Sequence, residues 1–173
     1  MKKVGILGGT FNPPHIGHLI MASEAYAAFD LDEVRFMPNA KAPHKESITA
    51  ASNDQRLRMV ELAIQEFPHF LVERFEMERG GISYTVDTMQ AMCEREPNTE
   101  FYFIIGGDSI DSLHTWYRID ELVELVTFVG VNRPGSKSES VYPVQMIEAP
   151  EINLSSTFIR NRLQFGGTLQ FLL

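Results

Sequence analysis

Short apolar runs alternate with segments of helical periodicity along most of this chain, and that alternation restricts the folds open to it. The first run, Lys2 to Leu7, ends at Gly8-Gly9, and apolar residues at helical spacing follow from Gly17 to Phe29. This pattern predicts a strand, a glycine-containing loop and a helix. A second strand at Val34 to Met37 and a helix over Asp54 to Phe67 complete the first βαβ unit.

The rest of the chain continues the pattern. Strands are predicted at Phe70 to Glu73, Phe101 to Ile105 and Thr127 to Val131, with helices at Val86 to Arg95 and Ile119 to Leu125. Strands that alternate with helices favour a mainly parallel sheet covered on both faces. The predicted fold class is therefore α/β, Rossmann-like and doubly wound, in a single domain over residues 1–173.

Composition and charge exclude several classes of function. The 173 residues are 44% hydrophobic and 22% charged, which is ordinary for a globular domain. A net charge of -8, from 15 basic and 23 acidic residues, disfavours a nucleic-acid partner. Because no apolar run approaches the ~20 residues that cross a bilayer, no membrane partner is expected. The lone Cys93 and the lack of a leader pattern predict a cytoplasmic protein.

Ligands of an open parallel sheet bind beyond the carboxyl ends of its strands, so the residues there carry the functional information. They are polar after four of the predicted strands: Gly8 to His18, Asn39 to Lys45, Gly106 to Ser109 and Asn132-Arg133. A pocket for a small anionic ligand needs only a few cations and backbone amides, which the negative net charge does not prevent.

The segment GGTFNPPHIGHL, Gly8 to Leu19, is the strongest of these signals. Its glycines allow a ligand to approach the backbone, and His15 and His18 are three residues apart at a predicted helix start. Both imidazoles can then donate hydrogen bonds to one phosphate beside the helix amides. Helix-capping histidines are the alternative, and a zinc site is disfavoured because no third ligand has a recognisable spacing.

Other nucleotide-binding classes fit the sequence poorly. The residues GILGGT do not match GxGxxG, and no acidic residue ends the second strand, so a dinucleotide-binding dehydrogenase is disfavoured. No GxxxxGK[ST] occurs in the chain, which excludes a P-loop.

The segment NLSSTFIR, Asn153 to Arg160, is a second candidate phosphate site. Hydroxyl side chains precede a helical run towards Leu163, and Arg160 lies one turn inside it, so both can reach one anion. Taken alone, the segment fits an ordinary helix N-cap equally well.

The two segments together resemble the HxGH and ISSTxIR motifs of the nucleotidylyltransferase superfamily, with Leu154 in place of the usual isoleucine. Three further stretches and VNRPG resemble the nicotinate-nucleotide adenylyltransferase branch, and together they cover nearly the whole chain. The stretches are PNAKAPHK (Pro38 to Lys45), RGGISYTVDT (Arg79 to Thr88) and FIIGGDSIDSLHTWYRIDEL (Phe103 to Leu122).

This resemblance implies transfer of the adenylyl group of ATP to nicotinate mononucleotide, giving nicotinate adenine dinucleotide and pyrophosphate in NAD biosynthesis. Mg²⁺ is expected as the counter-ion of ATP, held by phosphates and water rather than by a carboxylate cluster. Alternatives are another acceptor, such as nicotinamide mononucleotide or phosphopantetheine, and a non-catalytic nucleotide-binding module. A homo-oligomer is also left open. The family continues past this chain, which implies that its last C-terminal helix is lacking.

The resemblance also implies site residues, and no metal ligand is among them. The catalytic set is His15, His18, Lys45 and Arg160. The ATP-binding set is Gly8, Gly9, Phe11, His18, Gly106, Asp108, Ser155, Ser156, Thr157 and Arg160. The mononucleotide-binding set is Thr10, Asn39, Lys45, Tyr84, Thr85 and Trp116. An electron-poor pyridine ring stacks well on indole, although a core position fits Trp116 too.

Overall fold

A computed structural model describes residues 1–40, 51–132, 138–150, 153–170 and 172–173. In these ranges six strands form one sheet in the order β3-β2-β1-β4-β5-β6, and each neighbouring pair is parallel. The strands are β1 Lys2–Gly9, β2 Glu33–Pro38, β3 Phe70–Val72, β4 Thr99–Gly106, β5 Thr127–Asn132 and β6 Val144–Glu148. The predicted parallel sheet is confirmed.

Helices cover both faces of this sheet, as predicted. They are α1 Ile16–Ala28, α2 Asn53–Ile64, α3 Phe75–Arg79, α4 Thr85–Arg95, α5 Gly107–Ser112, α6 Ile119–Leu125 and α7 Ser156–Gln164, with a 3₁₀ turn at Leu113–Thr115. One core contains buried residues of α1 and α2, and the other contains buried residues of α4, α5 and α6. The fold is therefore a doubly wound α/β sandwich.

The central strands β1, β4 and β5 contain continuous apolar runs because both of their faces are buried. In β4, Phe103 and Ile105 belong to the core on the α4 side, whereas Tyr102 and Ile104 belong to the core on the α1 side. Fully burying one such side chain contributes roughly 1.5–3 kcal/mol. This two-sided burial explains why β4 is a continuous apolar run in the sequence rather than an alternating one.

Most predicted elements are confirmed to within a few residues, and the differences have local causes. Helix α2 ends at Ile64 instead of Phe67 because the Phe67 N–H turns back to the Ile64 carbonyl just before Pro68. Helices α3 and α5 were not predicted, because they are too short for a helical period to stand out. Strand β6 was not predicted either; it is an edge strand with exposed residues such as Met146.

The strand order places a crevice between the carboxyl ends of β1 and β4. From β1 the chain continues outward to β2, and from β4 it continues to β5 on the opposite side, so the two connections diverge there. Such a switch point is where open α/β sheets bind their ligands. Among the described residues, no helix is both long enough and apolar enough to cross a membrane.

Candidate active site

Helix α1 begins beside this crevice and presents two neighbouring imidazoles. His15 is the N-cap residue, and its Nδ1 accepts a hydrogen bond from the Gly17 N–H at 3.1 Å. His18 Nδ1 accepts a hydrogen bond from the His15 N–H at 3.0 Å, which closes a reciprocal capping box. The ring centroids are 4.0 Å apart. The histidines cap the helix, as the alternative interpretation expected, and their rings lie side by side; their binding of one phosphate stays a prediction.

These hydrogen bonds fix the tautomers of the two rings. Because each Nδ1 accepts a backbone N–H, the ring hydrogen of each neutral imidazole lies on Nε2. Burial, and secondarily the neighbouring His15, lowers the pKa of His18 to about 3. Burial also lowers the pKa of His15. Both side chains are thus neutral Nε2–H donors, which suits the binding of phosphate oxygens without a proton transfer.

Helix α7 docks its N-terminus on the loop that carries the histidines. Ser156 Oγ donates a hydrogen bond to the Pro13 carbonyl at 2.7 Å, and Arg160 Nη1 donates one to the Asn12 carbonyl at 2.6 Å. Ser155 Oγ caps the helix by accepting the Phe158 N–H at 3.1 Å. The second guanidinium nitrogen of Arg160 donates to the hydroxyl of Thr157, also at 3.1 Å. The two predicted phosphate motifs therefore meet in one place.

The end of β1 contributes its backbone to this region, and Phe11, which follows the strand, packs against His18. Gly8 and Gly9 are the last residues of the strand and are half-buried, as is Thr10. Phe11 is 2% exposed and has a φ of 51°. Its ring makes an edge contact with the His18 imidazole at 4.9 Å. Its aromatic ring therefore supports His18 from inside the core, and its predicted contact with ATP stays a prediction.

The backbone at the end of β4 lies close to neighbouring side chains. Gly106 ends the strand, Gly107 begins α5, and the exposed Asp108 lies in the first turn of that helix. A Cβ at Gly107 would lie 3.0 Å from Ser138 Oγ and 3.3 Å from Asn132 Oδ1. That Asn132 oxygen is buried and has no hydrogen-bond partner in the described part of the chain. Asn132, at the carboxyl end of β5, is a polar residue that the predicted site did not include.

An aromatic contact links two of the segments predicted to hold the pyridine ring. Tyr84 and Tyr117 are exposed, and their rings meet at a tilt with centroids 4.5 Å apart, which joins the start of α4 to the segment after Trp116. Thr85 is the first residue of α4. The half-buried Trp116 makes edge contacts of 5.9 to 6.0 Å with core phenylalanines. One edge of the indole thus packs in the core, as the alternative interpretation of Trp116 proposed.

A buried arginine of α2, which the sequence did not predict, contacts the end of β2. Asn39 directly follows β2, as predicted, while Lys45 lies outside the described residues. Arg56, from α2, is only 3% exposed. Its guanidinium donates to the carbonyl of Thr10 at 2.8 Å and to the carbonyl of Asn39 at 2.8 Å. An arginine within a charged helical segment gives no sequence signal for such burial.

The part of the chain that the structure describes holds no group of three or more His, Cys, Asp or Glu residues able to bind a metal ion. This finding is limited to those residues.

A switch-point crevice with paired imidazoles, a hydroxyl-rich helix start and a nearby arginine defines a Rossmann-like nucleotidyltransferase. The cytidylyltransferase-like family model matches residues 6–162. A Lactiplantibacillus plantarum protein described as a probable nicotinate-nucleotide adenylyltransferase is 52% identical, over 99% of this chain and 82% of its own length. The chain belongs to the nicotinate-nucleotide adenylyltransferase branch of the cytidylyltransferase-like family.

Two further comparisons agree with this assignment. A Geobacillus kaustophilus protein with the same description is 51% identical, over 100% of this chain and 80% of its own length. The solved structure of Plasmodium falciparum nicotinic acid mononucleotide adenylyltransferase complexed with NaAD superposes with a TM-score of 0.82. That match covers 98% of this chain and 88% of the other at 19% identity, so it concerns the fold alone.

Proposed function

We propose that this chain transfers the adenylyl group of ATP to nicotinate mononucleotide and releases pyrophosphate. The observation that carries the proposal is the docking of α7 on the histidine loop through the Ser156–Pro13 and Arg160–Asn12 hydrogen bonds. It gathers neutral and cationic donors at the switch point, where a triphosphate would need them. The relatives that are about half identical over the full chain support the same activity.

The reaction needs alignment more than acid–base chemistry. A phosphate oxygen of the mononucleotide attacks the α-phosphorus of ATP, the bond to the β-phosphate oxygen breaks, and pyrophosphate leaves with that electron pair. The nucleophile is already an anion at neutral pH, so no proton has to be removed. The protein must hold two anions in line and stabilise the charge that develops on the transferring and leaving groups.

We assign the phosphate-binding roles to groups at the switch point. The Nε2–H groups of His15 and His18 donate to phosphate oxygens, and Arg160 adds a positive charge. The free N–H groups at the start of α7, including that of Ser156, together with the hydroxyls of Ser155 and Thr157, would receive the leaving pyrophosphate. Lys45 stays a predicted fourth catalytic residue.

We place the two nucleosides on opposite sides of this phosphate region. Gly106 and Asp108, at the end of β4, would contact the adenosine. The pyridine ring would lie by Trp116, with its carboxylate directed at the backbone amides of Tyr84 and Thr85 at the start of α4. Because these amides have no partner inside the helix, they favour the acid over the neutral amide of the pyridine ring.

Mg²⁺ enters the proposal as part of the Mg·ATP substrate. We expect the phosphates of ATP and water to hold the ion. A cytoplasmic location and a homo-oligomer stay predictions from the sequence.

The test is pyrophosphate release from Mg·ATP with nicotinate mononucleotide, nicotinamide mononucleotide or phosphopantetheine offered in parallel. We expect turnover with nicotinate mononucleotide to exceed the others at least tenfold. Higher turnover with another acceptor would overturn the assigned pyridine site but keep the transfer chemistry. A folded protein that binds ATP and turns over none of the three would contradict the proposed activity.

A further inference from the structure

Arg56 forms hydrogen bonds to the residues that follow two neighbouring strands, β1 and β2. Nη1 donates to the Thr10 carbonyl at 2.8 Å and to Asn39 Oδ1 at 3.2 Å. Nη2 donates to the Asn39 carbonyl at 2.8 Å and to Asn53 Oδ1 at 2.6 Å. One guanidinium therefore ties the residue after β1 to the residue after β2 and anchors both to the first turn of α2.

The charge of Arg56 has no acidic partner among the described residues. All four of its acceptors are neutral oxygens, although the side chain is almost fully buried. Burial lowers the pKa of the Arg56 guanidinium, yet an arginine keeps its charge at neutral pH. Burying a cation against neutral oxygens, which are the only acceptors of Arg56 in the described part of the chain, is unfavourable for folding alone, so its position beside a ligand crevice indicates a functional reason.

Direct contact with substrate does not account for Arg56. Of the five N–H hydrogens of the arginine side chain, the four on the Nη atoms are donated to protein oxygens, and the side chain is only 3% exposed, which leaves little of it open to a ligand. What Arg56 controls is the orientation of its neighbours. Since Asn39 Oδ1 faces the guanidinium, the Asn39 amide nitrogen must face the opposite way, towards Thr10 Oγ1 at 3.5 Å.

We infer that Arg56 is a positioning residue, which turns the Asn39 amide donor and the Thr10 hydroxyl towards the phosphate of the acceptor mononucleotide. The inference rests on the proposed function and adds a residue that acts through two others. The predicted ATP-binding residues lie at the end of β4, at α7 and on either side of Thr10, but they include neither Arg56 nor its four acceptors. Loss of Arg56 should therefore affect the two substrates unequally.

The first variant is Arg56→Lys, which keeps the charge but cannot reach four acceptors in two loops. We expect the KM for nicotinate mononucleotide to rise about tenfold or more, with the KM for ATP changed less than twofold. The matched control is Arg58→Lys on the same helix, where the side chain is 67% exposed and donates to Glu61 at 3.3 Å. That control should leave both KM values unchanged.

A second variant keeps the test decisive if Arg56→Lys does not fold. Asn53→Ala removes the 2.6 Å bond that holds the guanidinium from the side of α2, and it should raise the same KM by a smaller factor.

A third variant, Asn39→Asp, tests whether Arg56 acts through Asn39. Its carboxylate still accepts from Arg56 but the amide donor is gone, so the mononucleotide KM should rise while the fold is retained. If Arg56 acts through Asn39, the effects of Arg56→Lys and Asn39→Asp will not add.

Turnover and the two KM values test the proposed function and the role of Arg56 separately. Turnover of nicotinate mononucleotide by the unmodified protein tests the function by itself. Given that turnover, a selective rise in the mononucleotide KM supports the positioning role of Arg56. An equal rise in both KM values, or a fall in melting temperature with both KM values unchanged, would overturn the inference and leave Arg56 a structural residue.

Discussion

Arg160 donates a hydrogen bond of 2.6 Å to the carbonyl oxygen of Asn12, a residue 148 positions earlier in the chain. The bond holds the guanidinium against the loop that leads into the paired histidines. Ser156 donates a hydrogen bond to the carbonyl of Pro13, the next residue of that loop, and so holds the first turn of α7 in the same region. The donors of two distant segments thereby form the one surface to which we assign phosphate binding.

Arg160→Lys should weaken that surface without removing its charge. A lysine cannot hold the Asn12 carbonyl and the Thr157 hydroxyl while it also contacts a phosphate. We expect kcat/KM for ATP to fall by about tenfold or more, measured by pyrophosphate release. Arg162→Lys is the control, because that guanidinium lies over the Phe158 ring at 4.8 Å, and it should retain wild-type kinetics. Equal losses in the two variants would contradict the assigned role.

His18→Ala should remove one preorganised donor from the transferring phosphate. We expect kcat to fall about a hundredfold, by analogy with the loss of an oxyanion-hole donor, which is worth roughly 3 kcal/mol. His69→Ala serves as the comparison, since His69 is an exposed ring that stacks on Tyr26 at 5.2 Å. A loss of less than tenfold in His18→Ala would rule out the donor role.

The imidazole of His18 should stay neutral throughout the physiological range in the ligand-free protein. Its folded pKa of about 3 lies below the usual 6.5, so protonation in the folded state occurs only in strong acid. The unfolded chain binds this proton near pH 6.5, and stability due to His18 is therefore lost as the pH falls from about 6.5 towards 3. Histidine NMR titration from pH 5 to 8 should show no inflection for His18, in contrast to the protein unfolded in urea.

A bound phosphate would change that result in a defined direction. An anion beside the ring favours the protonated imidazole and raises its pKa. Repeating the titration with ATP present should therefore move the His18 transition to higher pH. An inflection near pH 6.5 without ligand would show that the ring is not buried in the way the structure describes.

Acid should weaken the ion-pair network on the α4 side of the sheet. Arg35 donates to both oxygens of Glu96 at 2.7 Å, and this pairing, with Arg95 nearby, lowers the pKa of Glu96 to about 2. Because the folded pKa lies below the usual 4.5, the stabilisation is present above pH 4.5 and is lost as the pH falls towards 2.

Glu96→Gln tests this network. We expect it to lower the free energy of unfolding by about 1–2 kcal/mol at pH 7, with the difference from wild type shrinking below pH 4.5. The comparison is Glu61→Gln, which removes exposed pairs with Arg58 and Arg74 and should cost at most about 0.5 kcal/mol. Urea unfolding at pH 7 and pH 3 measures both. A constant deficit at the two pH values would show that charge is not the cause.

The local patterns of the sequence were enough to predict the sheet class and most of its elements. Apolar runs such as Phe101 to Ile105 and helical spacing such as Ile119 to Leu125 depend only on neighbours along the chain, and the structure confirms them. The motif around His15 and His18 was likewise recognisable, because its spacing at a helix start is a local property. In short or exposed elements such as β6, the alternation of apolar and polar residues was too weak to detect.

Tertiary structure alone decided which distant groups meet. Periodicity cannot show that Arg160 contacts Asn12, that Arg56 is buried beneath Asn39, or that Trp116 sets one edge against the core. Those contacts follow from the strand order and from the way helices pack on the two faces of the sheet. The sequence by itself thus determined the kind of fold and the chemistry available, whereas the assembled sheet decided which side chains act together, because it alone places residues far apart in the chain at one edge.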